Sequence, residues 1–99
     1  MKPLKYHPES KGDSKDAVDW YWSRSRLAAL DFADELKSAL SRLRKAPNAC
    51  SPYLYGTRRI LLDRFPFFVV FRERLRDIQI IAIAHAKRRP GYWAKRLKR

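Results

Sequence analysis

The sequence predicts a small α+β domain of order β-α-α-β-β-β, with an antiparallel sheet packed on a helical hairpin. Three observations carry this reading. Leucine and alanine recur at helical spacing through residues 27–43, β-branched and aromatic runs fill residues 58–85, and the linkers between those runs are short. Ninety-nine residues suit one domain spanning 1–99, large enough for a modest core without disulfides or a metal.

Leu4 and Tyr6 alternate with Lys5 and His7 ahead of Pro8, so residues 1–7 read as a short edge or near-edge strand. His7, beside a proline at a strand end, is a surface residue rather than a catalyst. Gly12-Asp13-Ser14 supplies a loop and N-caps for a helix beginning near residue 14, and Asp13, Asp16 and Asp19 lie where the helix dipole favours acids. Ala17, Trp20, Tyr21 and Arg24 follow at three- and four-residue spacing. Packing against a core accounts for Trp20 and Tyr21 ahead of a stacking platform.

The second helix is written by Leu27, Leu30, Ala33, Leu36, Leu40 and Leu43, with Ala29, Phe32 and Ala39 on the flanking rows. Arg42, Arg44 and Lys45 close its last turn, in agreement with the macrodipole, and Pro47-Asn48 stops it. Little chain is left near residues 23–26, so the two helices form an antiparallel hairpin. Its apolar stripe needs a covering surface.

Residues 46–56, with Pro47, Pro52 and Gly56, read as a loop carrying Tyr53 and Tyr55. Strands follow at 58–64, 65–72 and 77–85, joined near 63–66 and 73–76 as an antiparallel meander. Alternation sets Arg58, Ile60, Leu62 and Arg64 on one face of the first, and Arg59, Leu61 and Asp63 on the other. On the last strand Ile81, Ile83 and His85 share a face, with Ile78, Ile80, Ala82 and Ala84 behind. Both faces are apolar, so this strand is central, and its small Ala82 and Ala84 let a helix approach. Arg58, Arg64 and His85 are then expected to converge on one rim.

Charge is uneven. The formal net charge is +13. Residues 1–50 contribute +3 of it and residues 51–99 contribute +10, which favours nucleic acid, a ribosome or an acidic protein as partner. Solubility alone seldom needs such asymmetry. From residue 85 onward there are seven Lys or Arg and no acid. Cys50 is the only cysteine, which excludes an intramolecular disulfide and a cysteine zinc cluster; no cofactor or metal is expected. No apolar run approaches the ~20 residues of a membrane helix and no signal region opens the chain, so no membrane role and a cytoplasmic location are expected.

Certain pieces then form an ordered set. They are Tyr6-His7-Pro8-Glu9, Asp19-Trp20-Tyr21, Phe32, Pro47, the run Arg59 to Pro66, and the phenylalanine-valine strand. Above all there is Ile83-Ala84-His85-Ala86-Lys87-Arg88-Arg89-Pro90-Gly91-Tyr92-Trp93, with Arg96 beyond. In that order and spacing the chain resembles the RelE/ParE toxin superfamily of bacterial type II toxin–antitoxin systems, in its ParE-like, plasmid-stabilisation branch. The resemblance covers nearly the whole chain. It implies the small RelE/ParE-like fold and a growth-inhibiting toxin held inactive, as a hetero-oligomer, by a cognate acidic antitoxin. Members act in two ways: RelE-like toxins cut mRNA in the ribosomal A site, and ParE-like toxins poison DNA gyrase.

The residues weigh on that choice. Cleavage at a 2′-hydroxyl needs a base, cations for the phosphorane and an acid for the leaving oxygen. His85, Tyr92 and Arg64 are the catalytic candidates if the chain is RelE-like, an endoribonuclease needing no metal. Arg58, Arg59, Arg88, Arg89, Trp93 and Arg96 are candidates for holding target or antitoxin. Each has a plainer account: a strand-end histidine as often hydrogen-bonds a neighbouring loop, and packing the tail on the sheet is the simpler role for Trp93. The catalytic set is thin, because only Asp63 offers a carboxylate near the sheet rim. Residues 46–57 also lack the lysines that several ribosome-dependent members carry before the second strand. ParE-like, non-enzymatic action on gyrase is therefore favoured over mRNA cleavage, and both over a non-toxic basic nucleic-acid-binding module.

Overall fold

The computed structural model describes residues 1–98; the expected domain span of 1–99 runs one residue beyond them. The elements are β1 (Leu4–Tyr6), α1 (Pro8–Trp22), α2 (Arg26–Lys45), β2 (Ser51–Pro52), β3 (Arg58–Leu61), β4 (Phe67–Glu73) and β5 (Ile78–His85). They build a five-stranded sheet of order β1-β5-β4-β3-β2 with both helices on one face. The meander β3-β4-β5 is antiparallel as expected. The sheet as a whole is mixed, because β1 pairs with β5 in parallel. The helical hairpin between them is the long connection that parallel neighbours require.

α1 begins six residues earlier than the Gly-Asp-Ser signal suggests. Pro8 occupies the first turn, where its missing N–H costs nothing, and His7 Nδ1 caps the helix by accepting the Glu9 N–H at 3.1 Å. Gly12 and Asp13 are therefore helical, which turns Asp13 into a side chain aimed from a helix face. The turn into α2 is short, and Ser25 Oγ accepts the Ala28 N–H at 3.2 Å as N-cap.

α2 is rotated from its leucine stripe. Ala29, Phe32, Leu36, Ala39 and Leu43 are buried, whereas Leu27 and Leu30 are 69% and 49% exposed. Aromatic packing decides this, because Phe32 sits against Tyr21, Phe65 and Phe67 with ring centroids 5.3, 5.4 and 5.1 Å away. The anticipated loop at 46–56 contains two 3₁₀ turns and the two-residue β2, which pairs with β3. β3 ends at Leu61 rather than Arg64, and the Leu62 N–H donates to the Phe67 carbonyl to close the turn into β4.

The alternation on β5 breaks at a bulge. Val70 pairs with Ala82 but Phe71 pairs with Ile80, so Ile81 is the extra residue. Ile78, Ile80 and Ile83 join the helix-side core, and Ile81, Ala82 and Ala84 join a second core on the back of the sheet. This corrects both expected faces. The alanines make room for an indole instead of a helix: Trp93, 1% exposed, lies in the back core with Phe68 and Val70. The chain turns into that position at Gly91, whose φ is 77° and whose Cβ, if it had one, would stand 3.1 Å from the Tyr55 ring.

Candidate functional site

The site grows from an unpaired strand edge. β1 covers β5 only as far as Ile80, where the His7 N–H donates to the Ile80 carbonyl at 2.9 Å. The next edge groups of β5 need partners, since buried backbone polar groups cannot be left unmade. Arg96 Nη1 donates to the Ile81 carbonyl at 2.9 Å, and the Ile83 N–H donates to Asp13 Oδ2 at 3.0 Å. The two side chains then bond each other, with Arg96 Nη1 and Nη2 at 2.7 and 3.1 Å from the Asp13 oxygens. Only 9% of the Arg96 side chain and 13% of the Asp13 side chain are exposed. Burial works against the charge on Arg96, but the Asp13 carboxylate outweighs it and holds the guanidinium above its ordinary pKa.

Next to this pair, α1 and the C-terminal segment enclose a cleft of about 370 Å³. One wall is Asp13, Asp16, Trp20 and Tyr21 of α1; the other is His85, Arg88 and Tyr92; Ala17, Pro66, Phe67 and Ile83 complete the lining. The ring of His85 meets the Phe67 ring edge-on, centroids 4.9 Å apart, and its Nδ1 accepts the Lys87 N–H at 3.0 Å. That acceptance leaves Nε2 as the nitrogen that carries the proton. The Arg88 guanidinium lies 3.9 Å over the Tyr92 ring. Burial first, and the Asp13 charge second, raise the Tyr92 phenol above its ordinary pKa against the pull of Arg96 and Arg88. Tyr92 is thus a proton donor at neutral pH and a poor base.

The structure separates the residues that sequence reasoning grouped. His85, Tyr92 and Arg88 do share one cleft. Arg64 does not line it. Its backbone N–H and Nε donate to Glu35 at 2.9 and 3.0 Å, and its Nη1 lies 3.9 Å from Asp31, all on the helical hairpin. Arg58 is at the other end of the sheet: it stands opposite Phe71, which faces Ile80, while His85 faces Phe67, and its Nη1 donates to the Cys50 carbonyl at 2.7 Å. The expected convergence of Arg58, Arg64 and His85 fails, because antiparallel pairing sends the start of β3 away from the end of β5. Arg59 spreads over Tyr53 and Phe68, 4.3 and 4.9 Å from their centroids, as a lid on the back core. Trp93 and Arg96 are structural, the one buried in that core and the other spent on Asp13 and Ile81. Lys87, Arg88 and Arg89 are exposed, and Arg88 among them lines the cleft.

Sequence reasoning missed Asp16 and Trp20 as site residues. Trp20 is 52% exposed, with the Arg24 guanidinium 3.7 Å over its ring, and is not the core residue expected. The available signal was the spacing Asp13, Asp16, Trp20, which places all three on one helix face.

The fold matches a chain of the chromosomal ParDE TA system from P. aeruginosa with a TM-score of 0.77 over 88% of this chain and 98% of that one, at 24% identity, a level that speaks for the fold alone. No curated protein sequence matches the chain. The family model for the ParE toxin of the type II toxin–antitoxin system parDE matches residues 4–90. The chain belongs to the ParE toxin family.

Proposed function

We propose that this chain is a one-domain cytoplasmic toxin that inhibits growth by poisoning DNA gyrase and is neutralised, as a hetero-oligomer, by a cognate acidic antitoxin. Membership of the ParE family supports the toxin and the antitoxin partner. The observation that carries the gyrase mode is the separation of Arg64 from the other two nuclease candidates. Arg64 is committed to Glu35 on the hairpin, so His85 and Tyr92 lack it as a phosphate clamp. Among the described residues no helix is long and apolar enough to cross a membrane.

Two surfaces suit an acidic, amphipathic antitoxin: the basic rim of Lys87, Arg88 and Arg89, and the exposed ridge of Trp22, Leu27 and Leu30 beside Arg26. A second reading, mRNA cleavage, draws on the meeting of His85, Tyr92 and Arg88 in one cleft. Paired assays separate the two. Gyrase supercoiling should be inhibited by the purified chain while ribosome-bound mRNA stays intact; cleaved mRNA with unaffected gyrase would reverse the assignment. A chain harmless when expressed without its antitoxin would remove the toxin reading altogether and leave a nucleic-acid-binding module.

A further inference from the structure

We propose that the cleft between α1 and the C-terminal segment receives one unstacked base of a single-stranded nucleic acid, with Trp20 as its stacking partner and Asp16 as the group that reads its edge. This is a ligand site in its own right, and it stands whether the target is gyrase or a ribosome. Its chemistry is ordered from inside to outside. The lining is rich in rings, among them Trp20, Tyr21, Phe67, His85 and Tyr92, and every base offers a π-face to such a surface. The volume, about 370 Å³, lies at the small end of ligand pockets and matches a single nucleoside better than a helix or strand of a partner.

The polar groups fit a nucleotide better than a peptide anchor. Asp16 is exposed and, among the described residues, has neither a hydrogen bond nor an ion pair, unlike Asp13 one turn away. A free carboxylate on the wall accepts paired N–H donors, and guanine alone among the common bases presents adjacent N1–H and N2–H₂ groups on its Watson–Crick edge. Arg88, which lines the cleft, and its exposed sequence neighbours Lys87 and Arg89 offer cations for the attached phosphates. An apolar side chain from a protein partner would leave both the carboxylate and the cations unused. Trp20 lines the cleft and is half-exposed, with the Arg24 guanidinium 3.7 Å over its ring and the Tyr21 ring edge-on at 5.0 Å.

The test is titration of the purified full-length chain with short single-stranded oligothymidines, with and without one central guanine, followed by tryptophan fluorescence and by anisotropy of a labelled strand. The guanine strand should bind more tightly. Trp20→Ala should weaken it about tenfold and Trp20→Phe by no more than about threefold, as expected for a stacking contact. Asp16→Asn should abolish the preference for guanine while leaving thymidine binding unchanged. Arg89→Ala should weaken all strands alike and flatten the salt dependence. Because Trp20 is half-exposed, circular dichroism and melting should stay as in the parent chain. Parental affinity in Trp20→Ala, or loss confined to Arg89→Ala, would leave a phosphate surface without a base site and overturn the proposal. So would absence of binding by the parent chain, or displacement of no strand by free guanosine monophosphate.

Discussion

The two faces of the sheet are covered in different ways. The helix-side face is sealed by the α1–α2 hairpin, whose Phe32, Leu36, Ala39 and Leu43 meet Ile78, Ile80 and Ile83 of β5. Among the described residues the back face has no helix of comparable length. It is closed by Tyr53, Tyr92, Trp93 and Leu97, contributed by the loop before β3 and by the C-terminal segment. The comparison teaches that one stretch can be core and rim at once. In residues 85–98 the side chains of Trp93 and Arg96 hold the structure together, and those of Lys87, Arg88 and Arg89 are exposed to a partner.

If the back core depends on the tail, Trp93→Ala should be the most damaging change, costing about 3–5 kcal/mol by cavity and lost burial, read as a drop in thermal midpoint. A loss under about 1 kcal/mol would mean that the tail is an ornament on a sheet stable without it. Asp13→Ala tests the seam between the two faces. It strands the Arg96 charge and the Ile83 N–H together, with an expected cost of about 3 kcal/mol and faster hydrogen exchange at Ile83.

The helix-side face has its own polar clamp, and it carries a pH signature. Burial opposes the charge on Glu35, but the N–H groups of Asp63 and Arg64 and the Arg64 guanidinium outweigh it and hold the carboxyl below its ordinary pKa. A lowered folded pKa stabilises above the unfolded carboxylate value and is lost as pH falls through the folded one. Glu35→Gln should therefore cost about 1 kcal/mol at neutral pH, discounted for the exposed guanidinium, and nothing at strongly acidic pH. A melting-temperature gap that persists unchanged into acid would rule this out.

The smallest effect on stability belongs to the rim. Arg88→Ala combined with Arg89→Ala should change folding by less than about 0.5 kcal/mol, yet weaken toxicity in an induced-expression assay more than Arg42→Ala with Arg44→Ala. Equal loss of toxicity in the two pairs would take the rim out of the mechanism.

How much of this was legible beforehand differs between elements and faces. The hairpin and the meander follow from spacing and linker length, and they are as expected; the last strand, read as central, is flanked on both sides only as far as Ile80. The two tryptophans fared differently. Trp20, assigned to packing, lines the cleft, whereas Trp93, a contact candidate whose simpler role was packing, is core. Spacing tells which residues share a face; it does not tell which side of the helix meets the sheet. His85, Tyr92 and Arg88 were found because they crowd one short stretch, whereas Asp16 and Trp20 lie some seventy residues away in the sequence and meet them only across the fold.

By itself the sequence determined the order of elements, the basic C-terminal half and the family, because these rest on local periodicity, composition and motif order. The tertiary structure alone decided the rest. A single extra residue at Ile81 reverses which side of β5 faces the helices. The short reach of β1 leaves two edge groups that Asp13 and Arg96 satisfy. The Asp13–Arg96 pair in turn ties the tail to α1 beside the cleft that both of them line. The physical reason is that strand register and edge satisfaction are non-local, set by which backbone groups remain unpaired once the sheet has formed.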